Sequence, residues 1–156
     1  MSRLRPADVG AGAAGIALLV VLFLPWYDAL GSGSVAYGPG SGPDVTGWQA
    51  FSVVDILLAL LALLAIALPV VTALAAGPAK PVAFSVLATV GSALAVLLVL
   101  WRLVDAPGEG LAVHYGAWLG LAVALLMFVA SFAAMHDERT PGAVPPDLPR
   151  RPAPPA

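Results

Sequence analysis

The sequence predicts an all-α membrane protein, a bundle of four transmembrane helices, from three observations. Hydrophobic residues make up 60% of the 156 positions and charged residues only 10%, whereas soluble domains average about a quarter charged. Four uniformly apolar stretches are each about as long as the roughly 20 residues that a helix needs to cross a hydrocarbon core of about 30 Å. The basic residues outside those stretches fall on one side of them only.

The first stretch runs from about Val9 to Tyr27, the second from Val53 to Ala76, the third from Val82 to Val104 and the fourth from Ala117 to Met135. Each is too evenly apolar to be one face of a soluble helix, and in lipid only a helix satisfies such a backbone internally. Arg3 and Arg5 before an apolar run also fit the start of a signal peptide, with Ser34-Val35-Ala36 as a small-x-small cleavage site. The run is longer than a signal peptide's apolar region and that site lies well beyond its end, so the first span is expected to be retained. Pro69 lies inside the second span and should bend it or free a carbonyl.

Gly77-Pro78-Ala79-Lys80-Pro81 reads as a tight turn, making the second and third spans antiparallel neighbours. The loop from Asp28 to Ser52 is glycine-rich; Ser34-Val35-Ala36-Tyr37 is a stretch with strand character, too short to assign. The second loop runs from Asp105 to Gly116. Residues 1–138 therefore form the transmembrane domain. Residues 139–156, with Pro141, Pro145, Pro146, Pro149, Pro152, Pro154 and Pro155, read as a disordered tail of polyproline II character. Pro146-Asp147-Leu148-Pro149 fits a P-x-x-P pattern that any proline-rich tail produces by chance.

Arg3, Arg5, Lys80, Arg139, Arg150 and Arg151 lie on one side, and the two loops on the other contain no lysine or arginine. The positive-inside rule then puts both termini and the Lys80 turn in the cytoplasm, and the plasma membrane is the expected location. Trp26, Tyr27, Tyr37, Trp48, Trp101, Tyr115 and Trp118 all fall at or near the outer boundary, where amphipathic rings prefer the headgroup region.

Asp55 and Arg102 are the informative charges, because ionisable groups inside a span are costly. Asp55 lies 24 residues before Ala79 and Arg102 lies 23 after it, so an antiparallel hairpin sets them at equal depth. Asp55 shares a helical stripe with Ala59 and Ala62, and Arg102 shares one with Ala88, Gly91 and Ala95. Small residues mark faces where helices approach closely in lipid, which predicts an Asp55–Arg102 ion pair. Asp105, three residues along the same helix, is the alternative partner of Arg102. Gly116-x-x-x-Gly120, continuing to Ala124, and the crowd of Gly10, Gly12, Ala14 and Gly15 read as further packing motifs. Asp8 suits the positive end of the first helix.

Asp28, Asp44, Asp105 and Glu109 with His114 give the outer side an acidic character, but no spacing matches a metal-ligand set. There is no cysteine, which excludes disulfides and thiolate chemistry. No basic patch exists to hold nucleic acid, and no nucleophile–base set points to an enzyme or to a cofactor.

Four segments together resemble small four-span (tetraspan) membrane proteins of high-GC Gram-positive bacteria. They are Leu24-Pro25-Trp26-Tyr27, Thr46-Gly47-Trp48-Gln49-Ala50-Phe51 leading to Asp55, Arg102-Leu103-Val104-Asp105, and Tyr115-Gly116-Ala117-Trp118-Leu119-Gly120. The resemblance covers Trp26 to about Glu138 and implies topology, with no assigned activity. A likeness to claudin-type tetraspans stops at topology, because their longer first outer loop carries a cysteine pair that this chain lacks. The sequence thus favours a structural or accessory component acting through helix packing or outer-loop contacts. Its partners would be membrane lipids and a membrane protein or further copies of itself. The alternative is a small transporter or channel subunit using Asp55, Arg102 and the acidic face, against which the nearly apolar middles of the spans argue.

Overall fold

The computed structural model describes residues 4–29, 44–50, 53–74, 79–107 and 111–136. In chain order these form α1 (Pro6–Val21), β1 (Pro25–Ala29), β2 (Asp44–Thr46), α2 (Gly47–Ala50), α3 (Val54–Leu74), α4 (Ala79–Val104), β3 (Leu111–Val113) and α5 (Tyr115–His136). Four long helices carry the fold, and the three short strands pair into one antiparallel sheet of order β2-β1-β3. The sheet caps one end of the bundle. At the other, terminal end lie the start of α1, the end of α3, the start of α4 and the end of α5.

Local chemistry sets the helix limits. Pro6 opens α1, where its fixed φ suits a first turn and its missing N–H removes nothing. The Arg5 amide donates to Asp8 Oδ2 at 3.4 Å, satisfying a group ahead of that turn. Pro25 explains why α1 stops at Val21: proline offers no N–H and its ring disfavours helical backbone at the preceding residue. The expected first span, Val9 to Tyr27, is therefore corrected to a 16-residue helix followed by a turn and a strand. The other three long helices keep close to the expected limits, although α4 begins at Ala79, inside the expected turn.

Each long helix packs on two others, α1 and α4 each touching α3 and α5, which gives a ring of four in chain order. Small residues set the close contacts. A Cβ on Gly15 would lie 2.6 Å from the Ala62 carbonyl oxygen, and one on Gly12 would lie 2.8 Å from the Pro69 ring. Pro69 thus bulges towards α1 and glycine receives it. On the opposite side of α3, Leu61 and Leu64 reach over Gly91 of α4. The interior divides into a large cluster running from mid-bundle to the sheet and a small one of Ala11, Leu68, Ala88 and Ala134 near the terminal end.

The outside is apolar as well: Leu60, Leu63, Leu97, Leu126 and Val129 are all more than half exposed. That is the inverse of a water-soluble surface and suits lipid. Val54–Leu74, Val82–Val104 and Tyr115–His136 are long and apolar enough to cross a membrane, while Pro6–Val21 is apolar but shorter. The described residues are mostly helical, compatible with the expected all-α membrane bundle, and a small three-stranded sheet is added at one end. The Ser34–Tyr37 stretch, Tyr37, Glu109, Gly77 and the tail from 139 lie outside the described residues.

Candidate functional site

The densest specific chemistry sits where the sheet meets the bundle. β1 pairs with β2 as Pro25 with Thr46, Tyr27 with Val45 and Asp28 with Asp44, so Trp26 is the extra residue of a bulge. Successive residues of a regular strand face opposite ways; a bulge re-aims one of them. As a result Trp26 and Tyr27, adjacent in sequence, are both fully buried. The Trp26 indole N–H donates to the Val21 carbonyl at 2.8 Å, a second donor on an oxygen that also accepts the Leu24 amide at 3.0 Å where α1 ends.

Three glycines make the seat for this tryptophan. A Cβ on Gly120 would stand 2.6 and 2.7 Å from two atoms of the Trp26 ring, and one on Gly47 would stand 3.2 Å from its nitrogen. A Cβ on Gly116 would collide with the Pro25 carbonyl. The Gly116-x-x-x-Gly120 motif thus receives β1 and its tryptophan, not a neighbouring helix. Of the remaining small residues singled out in the sequence, Ala62, Ala88 and Ala95 are buried, Gly91 sits under Leu61 and Leu64, and Ala59 is half-buried beside the core.

Tyr27 ties the sheet to α4. Its hydroxyl donates to the Arg102 carbonyl at 2.7 Å, next to the end of that helix. Burial pushes its phenol up to about 12 from the ordinary 10.0; the Arg102 charge opposes the shift and the Asp105 charge adds to it.

Asp55 and Arg102 do lie at the same end, in the first turn of α3 and the last turn of α4. Among the described residues, however, Arg102 forms no salt bridge with either Asp55 or Asp105. Asp55 is buried and its Oδ1 accepts the Ile56 amide at 2.7 Å, while the Arg102 guanidinium lies 4.8 Å from the centre of the Trp101 ring. Azimuth accounts for the missing pair. The Ala62 stripe that includes Asp55 faces Gly15 of α1, and α3 meets α4 through Leu61 and Leu64, well round the helix from Asp55.

The remaining aromatics divide. Trp101, Tyr115 and Trp118 are about half exposed or more at the sheet end, and Trp48 is half-buried with its ring centre 5.7 Å from that of Phe23. Trp26 and Tyr27, expected among them at the interface, belong instead to the core. Thr46 and Gln49 start α2 in the manner of a capping box, Gln49 Oε1 accepting from the Thr46 amide at 3.1 Å. Across the sheet, His114 Nε2 lies 3.4 Å from Asp28 Oδ2, joining β1 to the residue after β3. Asp44, opposite Asp28, is exposed. Among the described residues no group of three or more His, Asp or Glu gathers in a way that could hold a metal ion.

Short strands hid this arrangement from the sequence. Three-residue strands such as Asp44–Thr46 and Leu111–Val113 are below the length at which alternation can be read. The signals that were present were Pro25, which ends a helix, and the paired glycines opposite a tryptophan. Comparison with protein-family models, with curated proteins and with solved structures finds no match, so geometry and chemistry alone carry the functional reading.

Proposed function

We propose that this chain is a multi-pass component of the bacterial plasma membrane, of the structural or accessory kind, that engages another membrane component through its sheet end. It crosses four times, with the sheet outside and both termini in the cytoplasm, as the distribution of basic residues favours. The observation that carries the reading is the anchoring of the outer sheet by Trp26 and Tyr27, both wholly buried. A sheet anchored in this way is a rigid element, and binding sites on rigid elements hold their geometry better than sites on free loops.

The 16 residues of α1 span only about 24 Å at 1.5 Å per residue. The turn and the start of β1 complete the crossing, which is tolerable because irregular backbone at membrane depth is stable when buried within protein. A second reading, a transporter or channel subunit, draws on one observation: Asp55 is a buried carboxylate at the outer end. It is the weaker reading, because the core from Leu58 to Ala65 and from Ala95 to Val99 offers no polar group to a permeating ion.

Photo-crosslinking separates the two. A photoreactive residue at exposed Asp44 is expected to give one discrete protein adduct in native membranes, whereas the same probe at lipid-facing Leu126 gives none. Adducts of equal yield from both positions contradict the accessory reading. Ion or proton flux in liposomes that Asp55→Asn abolishes replaces it with transport.

A further inference from the structure

The terminal half of the bundle is not apolar throughout. Asp8 of α1, Thr72 of α3, Ser85, Thr89 and Ser92 of α4, and Ser131 of α5 are all buried. Helix contacts fix their relative depth. Gly12 faces Pro69 and Gly15 faces Ala62, so α1 and α3 run antiparallel and Asp8 is level with the turn containing Thr72. Gly10 faces Ala130 and the Arg5 guanidinium donates to the Ala134 carbonyl at 3.1 Å, which brings Ser131 to nearly the same level. Ser85 lies one turn from Ala88, a member of the layer with Ala11, Leu68 and Ala134. One face of each of the four long helices therefore brings a polar side chain into this half of the core.

Their hydrogen bonding differs. On α4, Ser85 donates to Val82, Thr89 to Ser85 and Ser92 to Thr89, all carbonyls of the same helix at 2.8–3.0 Å. Such bonds make a hydroxyl self-sufficient. Thr72 Oγ1 and Ser131 Oγ are as deeply buried, yet among the described residues neither has a hydrogen-bond partner. Buried polar atoms are almost always satisfied, by protein or by internal water, because leaving them bare is costly. A hydroxyl both donates and accepts, and an ionised carboxylate such as that of Asp8, which accepts the Arg5 amide among its partners, takes about four hydrogen bonds. The Arg5 charge near Asp8 leaves the region close to neutral, which favours water over a cation.

We propose that Thr72, Ser131 and Asp8 form an internal hydrated site, in which bound water bridges the two hydroxyls to the carboxylate and exchanges with the aqueous phase at the terminal end. The site is one-sided. Beyond Ser92 the core continues as Ala95, Val99, Ala124 and Met127, which closes it at mid-bundle. It is a vestibule and not a channel.

Water-edited NMR on the intact chain in lipid bilayers tests this directly. Magnetisation transfer from water to Thr72 and Ser131 is expected to be at least fivefold faster than to Met127. Transfer no faster than to Met127 overturns the proposal. Thermal melts of Thr72→Val and Ser131→Ala give a second test with opposite signs for the two cases. Removal of a hydroxyl that holds water lowers the melting temperature of each variant. An unchanged or raised melting temperature, as for deleting an orphaned polar group from a dry core, overturns the hydrated site.

Discussion

At the scale of single residues, the fold turns on Trp26. It fills a seat made by Gly47, Gly116 and Gly120 and closes the end of α1 with its indole N–H. Trp26→Ala is expected to cost about 3–5 kcal/mol, the usual range for deleting a large buried aromatic. Gly120→Ala pushes a methyl into a ring that has no room to move and is expected to cost about 1–3 kcal/mol. Thermal melts of the single variants and of Gly120→Ala with Trp26→Phe should show part of the second cost recovered, because the smaller ring leaves space. Tyr27 adds a pH dependence. Its folded pKa is raised from 10.0 to about 12, so its contribution is complete below pH 10 and is lost as pH rises through about 12. Denaturation followed between pH 9 and 12 should show that loss in the native chain and a flatter profile in Tyr27→Phe. None of this was visible in the residue types: an aromatic pair next to an apolar run has the composition of an interfacial belt whether it faces headgroups or a core.

At the scale of elements, α3, α4 and α5 were legible because each exceeds the length at which apolar content alone is decisive, and they fall close to the expected limits, whereas α1 is shorter than the stretch read for it. The direction each face points was not legible, since a helix with alanine or leucine on every side has no strong moment to orient it. That is why Asp55 and Arg102 share a depth without sharing a contact. The charge reversal Asp55→Arg with Arg102→Asp is accordingly expected to recover less than about 0.5 kcal/mol relative to the sum of the single variants, the level of independent sites. A larger recovery contradicts the facing described above. The helix contacts themselves can be ranked. Gly15→Ala meets the Ala62 backbone carbonyl, which cannot yield, whereas Gly91→Ala meets the tip of the Leu64 side chain, which can. Melting should show the larger loss at Gly15, about 2 kcal/mol or more for an overpacked backbone contact, with Gly91→Ala below 1 kcal/mol. Sheet pairing escaped the sequence for a related reason: partners 15 or more residues apart, in strands of three to five residues, leave no periodic trace.

At the scale of the whole molecule, an apolar exterior, a helical ring and a sheet over one end make a membrane-embedded body with two unlike ends. The sheet end presents exposed tryptophans and a carboxylate–histidine pair, and the terminal end carries Arg5 against the last turn of α5. The whole scheme rests on α1, the shortest of the four long helices, crossing with the help of the turn and β1. Because the chain has no cysteine, single substitutions can report sidedness without a background. Leu4 and Asp44, exposed residues on either side of α1, are the informative pair. With a membrane-impermeant thiol reagent applied to intact cells, Asp44→Cys is expected to label and Leu4→Cys to label only after the membrane is opened. Labelling of both from the same side means that α1 does not cross, and contradicts the four-span account.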